Sequence, residues 1–127
     1  MHSHLSFETP PALPHEVVVE TLERALRDCS AEGEAAGGLV GIALNDDDAG
    51  FVEHWCVQVG TRAVPGSPLL GLAGLCLGHA ARRFGRLGDE ALTLARSLAA
   101  RAEADSTDVD GRAVDGYDDV RSFLQPW

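Results

Sequence analysis

The chain predicts an all-α fold, and three observations carry that expectation. Apolar residues make up 45% of the sequence but aromatics only 6%. That apolar share leans on Ala, Leu and Val, which suits close-packed helices better than a sandwich of strands. Apolar positions recur at helical spacing in one segment after another, and no run alternates convincingly between apolar and polar. At 127 residues the chain is long enough for one domain with a real core.

The stretch from Gly66 to Gly85 organises the rest. Ser67 followed by Pro68 is a helix start, because the hydroxyl accepts from a free amide and proline at the first position forfeits nothing. Gly85 supplies the stop. Between them almost no polar face appears until Arg82, so this helix is expected to be enclosed by others. Gly71, Gly74, Gly78, Ala81 and Gly85 recur at spacings of three and four. Glycine inside a helix costs roughly 1 kcal/mol against alanine, so a line of them implies close approach of another backbone, or of a ligand or partner chain lying along the stripe.

Residues 1–13, with Pro10 and Pro11 and then Pro14, predict a flexible N-terminal arm, and 14–127 a single helical domain. His2 and His4 in the arm are a loose metal-binding pair at most. Helix one is expected from about Pro14 to Cys29, with Val18, Leu22, Ala25, Leu26 and Cys29 on one stripe. Glu20 with Arg24, and Glu23 with Arg27, form i,i+4 pairs on its wet side. Gly37-Gly38 weakens regular structure between Ala31 and Gly38. Gly38 to Leu44 reads as a short helix, since a lone strand would have no partner. Asn45 to Asp48 ends it and caps the next, a stripe through Val52, Trp55, Cys56 and Val59 that ends near Gly60. After the central helix, Gly88-Asp89 opens a fifth, carrying Ala91, Leu94, Ala95, Leu98 and Ala102. A polar turn from Asp105 to Asp110 precedes the sixth, which starts near Asp108 with Val109, Ala113, Tyr117, Val120 and Leu124 inward.

All ten basic residues are arginine, a usage typical of GC-rich bacterial coding. Twenty acids leave a net charge of −10, which repels nucleic acid and steers the chain toward a basic partner. Three scattered cysteines, Cys29, Cys56 and Cys76, are no disulfide framework and read as core thiols. The amino terminus carries no basic and apolar leader pattern, and no span reaches the ~18 apolar residues of a membrane helix. The expected location is cytoplasmic, with no membrane and no nucleic acid as partner.

Sliding the sequence over itself by 40 places (Gly111 minus Gly71) superposes Leu69 on Val109, Ala73 on Ala113, Leu77 on Tyr117 and Phe84 on Leu124. The preceding helices agree, with Val52 on Leu92 and Val59 on Ala99. Helical pairs recurring at about 40 residues mark solenoids of the HEAT and armadillo kind. SPLLGLAGLCLGHAARRFG resembles the second helix of a HEAT repeat. The ensemble from Leu39 to Leu124, above all LCLGHAAR and YDDVRSFL, is similar to small bacterial HEAT-like proteins of the toxin-immunity type. The resemblance implies a short HEAT-like α-solenoid of about six helices in stacked antiparallel pairs. It implies that the chain binds and neutralises a cognate toxin domain, nuclease-type among the options, by occlusion. The alternative is a non-enzymatic scaffold or subunit of a larger assembly.

Little in the chain speaks for catalysis. Cys76 and His79 stand at i,i+3, close enough for two metal ligands, but His54 and Cys56 point apart, so no complete zinc set emerges. Ser106 to Tyr117 fails as a calcium loop for lack of a glutamate at its end. Cys56 or Cys76 with His79 is the sole nucleophile–base pairing, and both thiols sit in apolar runs. No enzyme, cofactor or metal is expected. The candidate partner-binding residues are Asp46, Asp47, Asp48, Asp108, Asp110, Asp115, Asp118, Asp119 and His79. Stacked repeats would line equivalent turns along one edge, gathering these acids into a patch. His79 would reach Asp118 or Asp119 and hold two repeats in register.

Overall fold

The computed structural model describes residues 14–124; the expected arm at 1–13 and the last three residues lie outside them. The described residues form six α-helices: α1 (His15–Arg27), α2 (Glu32–Asn45), α3 (Ala49–Arg62), α4 (Pro68–Phe84), α5 (Asp89–Ala104) and α6 (Arg112–Leu124). A 3₁₀ turn, Cys29–Ala31, joins α1 to α2, and no strand occurs among the described residues.

Successive helices pair as hairpins, α1 with α2, α3 with α4 and α5 with α6. Within one layer α4 lies between α2 and α6, which do not touch; in the other, α3 lies between α1 and α5. That is a short helical repeat, and its period is visible in the boundaries. From α3 to α5 the start moves 40 residues (89 minus 49).

Helix α4 forms where its local chemistry says it should. Ser67 Oγ accepts from the Leu69 amide at 3.1 Å, Pro68 opens the helix, and Gly85 closes it at φ 73°, where a side chain would be strained. Leu69, Leu70, Leu72 and Leu77 are all buried, each contributing roughly 1.5–3 kcal/mol on transfer from water. The glycine line receives α6. A Cβ on Gly74 would stand 2.9 Å from the Ala113 Cα, and one on Gly78 would stand 2.7 Å from the Gly116 carbonyl oxygen. Backbone packing, rather than a bound ligand, occupies the stripe, and α6 runs parallel to α4 along it.

Four expectations are corrected. Helix α1 stops at Arg27, because Asp28 turns outward and its carboxylate accepts from the Ser30 amide at 3.0 Å. Cys29 is consequently exposed and no core thiol. Helix α2 runs straight through Gly37-Gly38 from Glu32, because Ala35, Leu39, Ile42 and Ala43 bury one continuous face, and packing outweighs propensity. Helix α6 begins at Arg112, after Asp110 accepts from its amide at 2.9 Å. Arginines reach across helices: Arg24 of α1 binds Glu34 of α2 at 3.2 Å, and Arg62 of α3 binds Glu23 of α1 at 2.6 Å.

Candidate partner-binding surface

Helix α4 reaches the surface along Pro68, Leu75, His79 and Arg82, at offsets 0, 7, 11 and 14, so one narrow stripe of an otherwise enclosed helix faces out. Helix α6 flanks it. Arg112 donates to the Pro68 carbonyl at 3.1 Å and grips Asp110 at 2.8 Å. In the last turn of α4, Arg82 donates to His79 Nδ1 at 3.1 Å and stands 3.8 Å from the Asp119 carboxylate. The result is a chain His79–Arg82–Asp119 across the α4–α6 seam. Burial lowers the pKa of His79, and the Arg82 charge adds to this while Asp119 opposes it. A ring nitrogen that accepts from arginine is unprotonated, which agrees with that direction.

The expected histidine–carboxylate bond is therefore replaced by one through Arg82. Asp119 is the repeat equivalent of His79 (119 minus 79 is 40), so the sequence offset brings the two residues into one neighbourhood. Arg82 and Arg112 were missed as site residues. Their signal was spacing: Arg82 follows His79 by three on the same stripe.

The aspartates do not form one patch. Asp46 to Asp48 lie in a turn between hairpins, where α2 passes to α3. Arg83 ties that turn to the end of α4 by donating to the Ala43 carbonyl at 2.9 Å and approaching Asp47 at 3.4 Å. Asp105 to Asp110 lie in the turn inside the last hairpin, at the opposite end of the helices. There the Asp108 carbonyl accepts from the Gly66 amide at 2.8 Å.

Most of these acids already have structural work. Asp46 is buried, accepting from the Asp48 amide at 2.8 Å and holding His15 Nε2 at 2.8 Å; the His15 ring stacks on Phe51 at 3.5 Å. Asp48 caps α3 by accepting from the Phe51 amide at 3.0 Å. Asp108 takes both arms of Arg101, at 2.8 and 2.7 Å, which lowers its pKa. Arg112 likewise lowers Asp110. Asp47 is exposed, and Asp115 and Asp118 project from α6 with no polar partner among the described residues.

The reactive pairs do not assemble. Cys76 is buried in the core, whereas His79 rides the outward stripe, so the two cannot share a metal. Among the described residues no three His, Cys, Asp or Glu side chains converge on one point. A cleft of about 320 Å³ lies between the start of α3, the end of α4 and the start of α5. Its one carboxylate, Glu53, is spent on the Gly88 amide at 2.9 Å. No helix among the described residues is long and apolar enough to cross a membrane. Comparison with family models, curated proteins and solved structures finds no match.

Proposed function

We propose that the chain is a cytoplasmic immunity-type protein that binds a cognate toxin domain and neutralises it by occlusion, without turnover. One observation carries this reading. Glu16, Glu20, Asp89, Glu90, Glu103, Asp115 and Asp118 are exposed and have no polar partner among the described residues, although six of the ten arginines are engaged in ion pairs. Five of these seven acids sit on the last hairpin, α5 and α6. Fixed, uncompensated carboxylates on packed helices speed the encounter with a basic surface and reject acidic ones. A nuclease-type toxin presents such a basic surface where it holds its substrate. The outward stripe of α4, with Leu75 beside the His79–Arg82–Asp119 chain, adds a semi-apolar strip next to that charge, the mixture interfaces use.

The test is to mix the purified chain with the product of the adjacent gene, measure complex formation, and measure survival of cells expressing both. A complex whose association rate falls steeply with salt, together with protection, is expected. Neither complex nor protection would refute the proposal. The paired variant D118K/E103K, at two positions free of structural bonds, is expected to slow association at least tenfold at low salt while keeping the wild-type melting temperature.

A further inference from the structure

Two free cysteines, Cys56 and Cys76, are fully buried inside the α3–α4 hairpin. Gly60 brings these helices close: a Cβ at Gly60 would stand 3.3 Å from the Cβ of Ala73. Cys56 lies one turn before Gly60, and Cys76 lies about one turn after Ala73. Because α3 and α4 are antiparallel, the approach made by Gly60 and Ala73 carries Cys56 to Cys76. Both residues are 0% exposed, and Cys76 is the neighbour that most perturbs the Cys56 thiol. A disulfide needs Cβ atoms about 3.5–4.5 Å apart, a separation within reach of helices that touch through a glycine and an alanine. Cys29, by contrast, is exposed on the 3₁₀ turn and far from this pair in the sequence.

We propose that Cys56 and Cys76 form a dithiol site, which a small peroxide converts to an intrachain disulfide pinning α3 to α4. One thiol loses its proton, and the thiolate attacks a peroxide oxygen. The O–O bond breaks, hydroxide leaves, and a sulfenic acid remains. The second sulfur attacks the first, the S–O bond breaks, and the hydroxyl leaves as water with the second thiol's proton. Two thiols and one hydrogen peroxide give one disulfide and two waters, with two electrons passing from sulfur to oxygen.

The neighbouring Cys76, then burial, pushes the Cys56 thiol well up, and Glu53 adds to this. Full enclosure admits hydrogen peroxide during local opening and excludes bulky disulfides such as oxidised glutathione, which sets this site apart from Cys29.

The experiment uses the full chain with Cys29→Ser, a surface change that leaves two thiols. Folded protein is exposed to hydrogen peroxide, quenched, denatured, alkylated and weighed. The expected product is a monomer lighter by two hydrogens that takes up no alkylating reagent, with a melting temperature raised by roughly 10 °C. Adding Cys56→Ala is expected to abolish the bridge and the rise in melting temperature. Two alkylated thiols after peroxide treatment of the folded protein would overturn the proposal, as would a disulfide-linked dimer or a fall in melting temperature on oxidation.

Discussion

Gly116→Ala tests the backbone contact that holds the last hairpin. A Cβ at position 116 would meet the Gly74 carbonyl and stand 2.7 Å from the Leu75 Cα. Carbon atoms rest about 3.5–4.0 Å apart, so α4 and α6 must part by about 1 Å, and a gap of that size forfeits a quarter to a half of the dispersion along the seam. Overpacking of this kind costs about 3 kcal/mol at the upper end of its usual range. Alanine returns about 1 kcal/mol through helix propensity, leaving a net loss of about 2 kcal/mol. In a domain of this size that lowers the melting temperature by roughly 8 °C. Gly37→Ala is the internal control. Gly37 is exposed on α2, and nothing lies within 4 Å of the Cβ it would gain, so the propensity term acts alone and stability rises by up to about 1 kcal/mol. Thermal and urea unfolding followed by circular dichroism read both variants. A Gly116→Ala protein as stable as wild type would refute the close α4–α6 packing.

Ser67→Ala removes the cap of α4 and the 2.6 Å bond from Ser67 Oγ to Glu32; a loss of about 1–2 kcal/mol in urea unfolding is expected, with an unchanged denaturant slope. Acidification unfolds the chain through groups of two kinds acting in one direction. Glu23, bonded to Arg62, and Asp110, bonded to Arg112, have lowered pKa values, so the unfolded chain takes up protons first. Their stabilisation is complete above the ordinary carboxylate values of 4.5 and 3.8 and is lost as pH falls toward the folded values. His79 is also lowered, chiefly by burial, so its neutral form belongs to the fold and stability declines as pH drops below the ordinary histidine value of 6.5. A melting-temperature profile against pH is expected to show a shallow step there and a steeper one below, and His79→Gln to remove the shallow step alone.

The parts legible in the sequence were those fixed by local chemistry or by the period. Ser67-Pro68 and Gly85 gave both ends of α4, and the 40-residue offset gave the two later hairpins and their parallel register. Helix α2 was illegible through Gly37-Gly38, because propensity counts the glycines while the decisive term, burial of Ala35, Leu39 and Ile42, depends on α1 and α4 being in place. The aspartate patch failed for a reason the period itself contains. Adding 40 to positions 46 to 48 gives Arg86, Leu87 and Gly88, a turn without acid, so the two acidic groups occupy turns of different kinds. The Cys56–Cys76 contact needs the hairpin geometry, since nothing local links residues twenty apart.

The acidic surplus divides by function once each carboxylate is given its structural duty. Asp28, Asp48, Asp105 and Asp110 accept backbone amides at turns and helix starts. Glu16, Asp89, Glu90 and Asp115 stand in first turns, where the helix dipole favours them. Glu20, Glu103 and Asp118 have neither role, and Glu103, at the carboxyl end of α5, opposes the dipole. Glu103→Lys is therefore expected to raise stability by about 0.3–1 kcal/mol, and Asp118→Lys to leave it within about 0.5 kcal/mol. Asp48→Ala removes a cap and is expected to cost about 1 kcal/mol while leaving partner association unchanged. If instead Asp48→Ala weakened the complex and the lysine variants did not, the unspent carboxylates would be solvation alone, and a basic partner would have to be sought at the turns.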